Sequence, residues 1–182
     1  MIGHLKLILL IGLCSVLQGT VRPESWAKRI ELPHVENLYR VDEGLYRSAQ
    51  PDTDGFLELK KFGITQVLNL RDFFDDADET KGMGLKLYSV EMNAWNIRDQ
   101  DVIAALKIIS DKQNRPLLVH CKHGADRTGT IIAMYRIVIQ GWTKKEALNE
   151  LIDGGFGYHT IWKNIPEYIK TVDIEKIKKN LQ

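Results

Sequence analysis

Cysteine is scarce in this chain: Cys14 and Cys121 are the only two thiols in 182 residues. Cys14 falls in an N-terminal apolar stretch, so removal of that stretch leaves Cys121 alone. Such a chain has no disulfide framework and no resolving thiol, and it lacks the ligand spacing of a zinc site. An excess of one charge is lacking as well. Lys and Arg number 25, Asp and Glu 24, and the formal net charge is +1. That balance gives no case for nucleic acid or for general attraction to a membrane surface. Long apolar runs are absent, since Leu7 to Leu17 spans eleven residues and is short for a membrane span. Internal repeats and low-complexity segments are absent too. What remains is ordinary globular composition, 44% hydrophobic and 27% charged, in a chain long enough for one α/β domain with its own core.

Met1 to Lys6 is a slightly basic start, and the apolar run behind it fits the hydrophobic region of an export signal. Ser25-Trp26-Ala27 places small residues where a signal peptidase reads them, and Gly19 or Thr20 offers an earlier cleavage point. The expectation is a signal peptide over residues 1–27, its end either after Ala27 or near Gly19 or Thr20, and a folded domain over 28–182. The mature protein is then exported, periplasmic or secreted; an uncleaved segment would anchor it to the membrane.

The chain is organised around Val119-His120-Cys121-Lys122-His123-Gly124-Ala125-Asp126-Arg127-Thr128-Gly129. An apolar run, Pro116 to Val119, precedes it and reads as a buried strand; Ile131 to Ile139 follows with helical spacing. A cysteine thus sits where a strand ends and an arginine where a helix begins. A short loop opening a helix aims backbone N–H groups at one spot, and the helix dipole adds partial positive charge there, a setting suited to a phosphate dianion. Arg127 adds a planar fork that grips two phosphate oxygens at once. Cys121 lies in the same field, which favours the nucleophilic thiolate. The Thr128 hydroxyl is placed to donate to that sulfur. The candidate phosphate-binding residues are Lys122, His123, Gly124, Ala125, Asp126, Arg127 and Thr128.

His120-Cys121, Gly124 and Arg127-Thr128 match the H-C-x-x-G-x-x-R-[ST] signature, and in this the chain resembles the cysteine-dependent protein tyrosine phosphatases. The length resembles the compact dual-specificity branch. Gly44-Leu45-Tyr46-Arg47-Ser48-Ala49-Gln50-Pro51 resembles an N-terminal signature of small bacterial and plant-fungal members, Asn69-Leu70-Arg71 is similar to the family, and the run Ala133 to Trp142 and Gly154-Gly155-Phe156-Gly157 are similar to small exported bacterial members. The resemblance covers about residues 36 to 165. It implies a single α/β domain with a central, mostly parallel sheet flanked by helices, and phosphate monoester hydrolysis through a phosphocysteine without metal or cofactor. It implies a phosphorylated protein, with phosphotyrosine first, or a small phosphorylated molecule as substrate. Lys122 and His123 in the loop also fit inositol phosphates or phosphoinositides. A non-catalytic phosphate-binding module is the alternative of another class.

Elsewhere the pattern predicts strands over Leu38 to Val41, Leu45 to Arg47, Ile64 to Arg71 and Leu85 to Met92. Helices are predicted after a cap at Asp52 or Thr53, over Val102 to Ser110, over Thr143 to Ile152 behind a Thr143/Glu146 capping box, and over Ile161 to Leu181 with a break near Thr171 to Asp173. Residues 28 to 36 read as a polar lead-in. Asp72 to Gly84 reads as a mobile acidic loop. Arg71 faces either an anionic substrate or that acidic run. The resemblance implies an aspartate acid on the loop before the second helix, yet Glu91-Met92-Asn93-Ala94-Trp95-Asn96 has none where many relatives place it. Asp99 is the candidate acid and Asp101 the alternative; either also suits a helix N-cap. Asp126 is a third candidate, better suited to bonding loop N–H groups.

Overall fold

The computed structural model describes residues 22–182; the apolar run, Cys14, Gly19 and Thr20 lie outside the described residues. Six strands, β1 (Lys28–Arg29), β2 (Tyr39–Asp42), β3 (Leu45–Ser48), β4 (Gln66–Asn69), β5 (Lys86–Ser89) and β6 (Leu117–His120), form one sheet in the order β1-β2-β3-β6-β4-β5. β3, β6, β4 and β5 run parallel, while β1 and β2 are antiparallel at one edge. β6 is central, and all four of its residues are buried, as a strand covered on both faces requires.

Strand alternation divides the core. Val67 and Leu118 turn to one face, with Phe56 and Leu59 of α1 (Thr53–Phe62). Leu68, Leu117 and Val119 turn to the other. There they meet α2 (Asp99–Ser110), α3 (Asp126–Val138), α4 (Lys144–Asp153), α5 (Asn164–Thr171) and α6 (Ile174–Lys179). The predicted stops and starts are visible. Asp52 caps α1 by accepting from Gly55 N at 2.7 Å, and Gly63 ends it at φ 108°. Thr143 and Glu146 form the capping box of α4. The last helical stretch breaks at Val172-Asp173, where Asp173 caps α6.

Three expectations change. Arg98, not Asp99 or Asp101, is the N-cap of α2; both carboxylates are held by other side chains, Asp99 by Tyr168 and Lys176 and Asp101 by Arg98. The lead-in contains the short edge strand β1, paired with Tyr39 and Arg40. The acidic segment after β4 is anchored: Asp76 and Thr80 are buried, because Asp76 pairs with His120 in the central strand.

The parallel strands end at one edge of the sheet, where Ser48, His120 and Asn69 lie side by side in register. The loops after them therefore surround one crevice, the usual place for a ligand in an open α/β sheet.

Candidate active site

The loop from Cys121 to Ala125 is held from outside by its carbonyls. Gln50 N donates to Lys122 O at 3.2 Å, Asn37 Nδ2 to His123 O at 2.8 Å, and Arg47 donates to Gly124 O at 2.6 Å. A peptide N–H points opposite its C=O, so the N–H groups of His123, Gly124 and Ala125 turn toward the space that the loop encloses. Gly124 has φ +67°, and a Cβ there would lie 2.4 Å from Ser48 O; only glycine lets the loop close on the neighbouring strand. Arg47 is 1% exposed and stacks 3.8 Å from the Phe156 ring centre. Burial lowers its pKa to about 10, leaving it a cation at neutral pH. It ties the strand to the domain and braces the loop.

Cys121 lies at the floor of a cavity of about 270 Å³, with Arg127, His123 and Asp126 from the signature. Asp72, Ala94, Trp95, His159, Ile161 and Trp162 complete the wall. Arg127 donates to Asp72 Oδ1 at 2.9 Å and to Met92 O at 3.3 Å. Trp95 and Ile161 are 63% and 76% exposed, so the mouth is an apolar, partly aromatic rim around a floor that carries Cys121 and Arg127.

The predicted residues separate into groups. Cys121, His123, Asp126 and Arg127 are together in the cavity, while Gly124 and Ala125 are buried and are not among its lining residues. Lys122 is exposed and outside its lining. The Thr128 hydroxyl is buried and has no hydrogen-bond partner among the described residues, so the expected donation to sulfur is not made. Asp126 accepts from His159 N at 3.0 Å and pairs with His159 Nδ1 at 2.8 Å; it anchors the segment after α4 rather than loop N–H groups. Asp99 is not in the cavity. Its carboxylate accepts from Tyr168 at 3.0 Å and from Lys176 at 2.8 Å. The Lys176 hydrogen bond, with help from Tyr168, holds its pKa below the ordinary carboxylate value, the wrong direction for an acid. Asp101 forms a two-point pair with Arg98.

His120 is fully buried, and its Nε2 lies 2.9 Å from Asp76 Oδ2. Asp76 also accepts from Gln50 and Arg71, each at 3.1 Å, so Arg71 meets the acidic run. Burial alone would raise the Asp76 pKa, but these partners, His120 foremost, bring it below normal. The pKa of His123 is held below its ordinary value by burial at the rim and by His159 and Lys122, against the pull of Asp126. Donor atoms of His123, Asp126 and His159 lie within 4.8 Å of one another. In this structure His159 and Asp126 are paired with each other.

Sequence reading missed Asp72, His159, Ile161 and Trp162 as wall residues. Asp72 follows Asn69-Leu70-Arg71 at a strand's C-terminal end, a position that was itself a signal.

A tyrosine phosphatase family model matches residues 34–182. The dual specificity protein phosphatase TpbA of Pseudomonas aeruginosa is 34% identical over 164 residues, covering 88% of this chain and 72% of that protein. A crystal structure of a cysteine-to-serine form of P. aeruginosa TpbA in complex with phosphotyrosine aligns with TM-score 0.79 at 32% identity, covering 88% of this chain and 98% of that one. The structure of the PP-IP phosphatase SIW14 from S. cerevisiae aligns with TM-score 0.69 at 28% identity, covering 79% and 90%. Inositol diphosphatase DSP5 of Arabidopsis thaliana is 30% identical over 128 residues, 63% of this chain and 59% of that protein.

Proposed function

From the premise that this chain belongs to the tyrosine phosphatase family, we propose that it hydrolyses protein phosphotyrosine through a phosphocysteine on Cys121. The observation that carries this reading is Cys121 and Arg127 on the floor of one cavity whose mouth is walled by Trp95, Ile161 and Trp162. An aryl phosphate fits both halves, its ring against the apolar rim and its dianion on the floor.

In the first step the Cys121 thiolate attacks phosphorus. The S–P bond forms, and the P–O bond to the leaving group breaks with its electron pair on oxygen, which takes a proton. Arg127 and the loop N–H groups bind the equatorial oxygens as charge shifts among them. In the second step water attacks phosphorus, the S–P bond breaks, and the thiolate returns as inorganic phosphate leaves. Cys121→Ser is expected to abolish turnover while phosphate still binds, because backbone and Arg127 form the cradle and a serine alcohol lacks the acidity of a thiol. Measurable turnover by pure Ser variant would remove the nucleophile assignment.

The rim also favours one substrate class. An inositol polyphosphate needs cations around the mouth. Here His123 and His159 stand beside apolar side chains, His123 is held toward its neutral form, and Lys122 lies outside the lining. The expected kcat/KM is higher for a phosphotyrosine peptide than for inositol polyphosphates or pyrophosphates, and the reverse order would transfer the chain to that class.

Export is part of the same proposal. Among the described residues, no helix is long and apolar enough to cross a membrane. Arg22 to Ala27 pack onto the domain: Ala27 is fully buried and its N–H donates to Glu150 at 2.6 Å. This supports cleavage before Arg22, near Gly19 or Thr20, over cleavage after Ala27, and release to the periplasm or medium. N-terminal sequencing of the protein from cell fractions tests it; an intact Met1 on a cytoplasmic species would refute export.

A further inference from the structure

We propose that Asp72 is the proton donor of the first step and the base of the second. The inference rests on the phosphatase reading above and supplies the acid that the loop before α2 lacks.

Four observations place it there. Asp72 lines the same cavity as Cys121, and its Oδ1 lies 2.9 Å from the Arg127 guanidinium. A group this close to the phosphate clamp is within reach of an oxygen on the phosphorus that Cys121 attacks. The loop between β5 and α2 brings Ala94 and Trp95 to the cavity, and neither side chain is a titratable acid. The other carboxylates considered are engaged: Asp99 with Lys176 and Tyr168, Asp101 with Arg98, and Asp126 twice with His159. The segment that carries Asp72 is built, not loose. Asn69 Oδ1 accepts from Arg71 N at 2.8 Å, and Asn69 Nδ2 donates to Phe74 O at 3.1 Å. Arg71 donates to Asp75 O at 2.9 Å and to Asp76, whose other oxygen meets His120 of the signature strand. Between these ties Phe73 sits at φ +63°, a conformation a bulky side chain adopts only where its surroundings impose it.

The chemistry follows from what phosphate displaces. Arg127 is the hydrogen-bond partner of Asp72 in this structure. A bound dianion takes that fork for itself and places negative charge beside the carboxyl, the condition under which a carboxyl holds a proton. As the P–O bond breaks, its electron pair stays on the leaving oxygen and the Asp72 proton passes to it. The resulting carboxylate then takes a proton from water as that water attacks phosphorus and the S–P bond breaks.

The test is Asp72→Asn against a series of aryl phosphates, from an activated nitrophenol ester to a phosphotyrosine peptide. The expected loss is roughly a hundredfold with the peptide and under about tenfold with the most activated ester, the pattern of a missing general acid. Asp72→Glu keeps a carboxyl and is expected to regain part of the peptide rate. Vanadate or phosphate binding to the Asn variant is expected to be at least as tight as in the wild type, because Arg127 has lost a competitor, and this also reports that the cavity is intact. An equal loss on all esters, or none, overturns the proposal, as does a selective loss in Asp99→Asn or Asp126→Asn instead. Should Asp72→Asn not fold, a Glu variant with wild-type binding but a uniform loss across the esters overturns it as well. Failure of the phosphatase reading looks different: no labelled phosphoenzyme on rapid quench of the wild type, whatever Asp72 does.

Discussion

In the proposed reaction Arg127 serves two anions in turn. Before substrate arrives it donates to Asp72 and to the Met92 carbonyl; during the reaction its fork must lie flat against two phosphate oxygens. A lysine keeps the charge and cannot keep the fork. We expect Arg127→Lys to lose ~10²–10³ in kcat/KM on an aryl phosphate, the scale of a removed transition-state donor. Near-normal rates would show that Arg127 is not the clamp. The placement of Cys121, Gly124 and Arg127 was legible residue by residue, because a strand end, a loop and a helix start bring them together locally. Asp72 was not, because its meaning comes from a partner 55 positions along the chain. Asp99 misled for the same reason in reverse. Its place before a helix looked suitable, but Lys176 and Tyr168 arrive from the far end of the chain to hold it as an anion.

At the scale of elements, the strand, loop and helix of the signature and the caps of α1 and α4 follow from periodicity and capping chemistry, and they stand where expected. The segment after β4 shows what local composition misses. Five acidic residues between 72 and 79 read as a solvated loop, yet one of them, Asp76, is buried against His120 and fixes the segment to the central strand. Its pKa lies below the ordinary 3.8 because His120, Gln50 and Arg71 outweigh the cost of burial. A carboxyl lowered in the folded state adds stability that is fully present above about pH 4 and is lost as pH falls through its folded value. Asp76→Asn is therefore expected to be less stable by ~1–3 kcal/mol near neutrality, the range for a buried charged hydrogen bond. The gap to wild type should narrow as pH falls below the ordinary carboxylate value and through the lower folded one. Urea unfolding at several pH values checks this, and parallel stability curves would show that Asp76 does not titrate against the fold. Because Asp72 rides on the same segment, the variant should also lose rate on phosphotyrosine peptide more than on an activated ester.

The whole molecule extends past the signature at its N-terminal edge, where sequence reading drew the domain boundary at Lys28. Hydropathy marks where an apolar run ends but not where packing begins, and residues 22 to 27 carry no periodicity that would reveal a buried alanine. In the structure Arg22 lies against the rings of Trp26, Tyr39 and Phe156 and donates to the carbonyls of Gly154 and Ala27. Phe156 in turn supports Arg47 under the phosphate loop, so the segment backs the site from behind. The Ala27 N–H completes a buried cluster in which Glu150 also holds Arg136 through two hydrogen bonds at 2.8 Å. Truncation to Lys28 would leave that carboxylate short of a donor and open one side of the Phe156 ring. A buried hydrogen bond to a charged group contributes ~1.5–3 kcal/mol, and each kcal/mol moves the melting temperature of a domain this size by about 2–4 °C. A chain starting at Lys28 is thus expected to melt roughly 3–12 °C below one starting at Arg22. Its kcat on aryl phosphate should change far less than its stability, because no residue of the segment enters the cavity. Equal melting temperatures for the two forms would show that Arg22 to Ala27 lie on the domain without belonging to it, and would return cleavage after Ala27 to consideration.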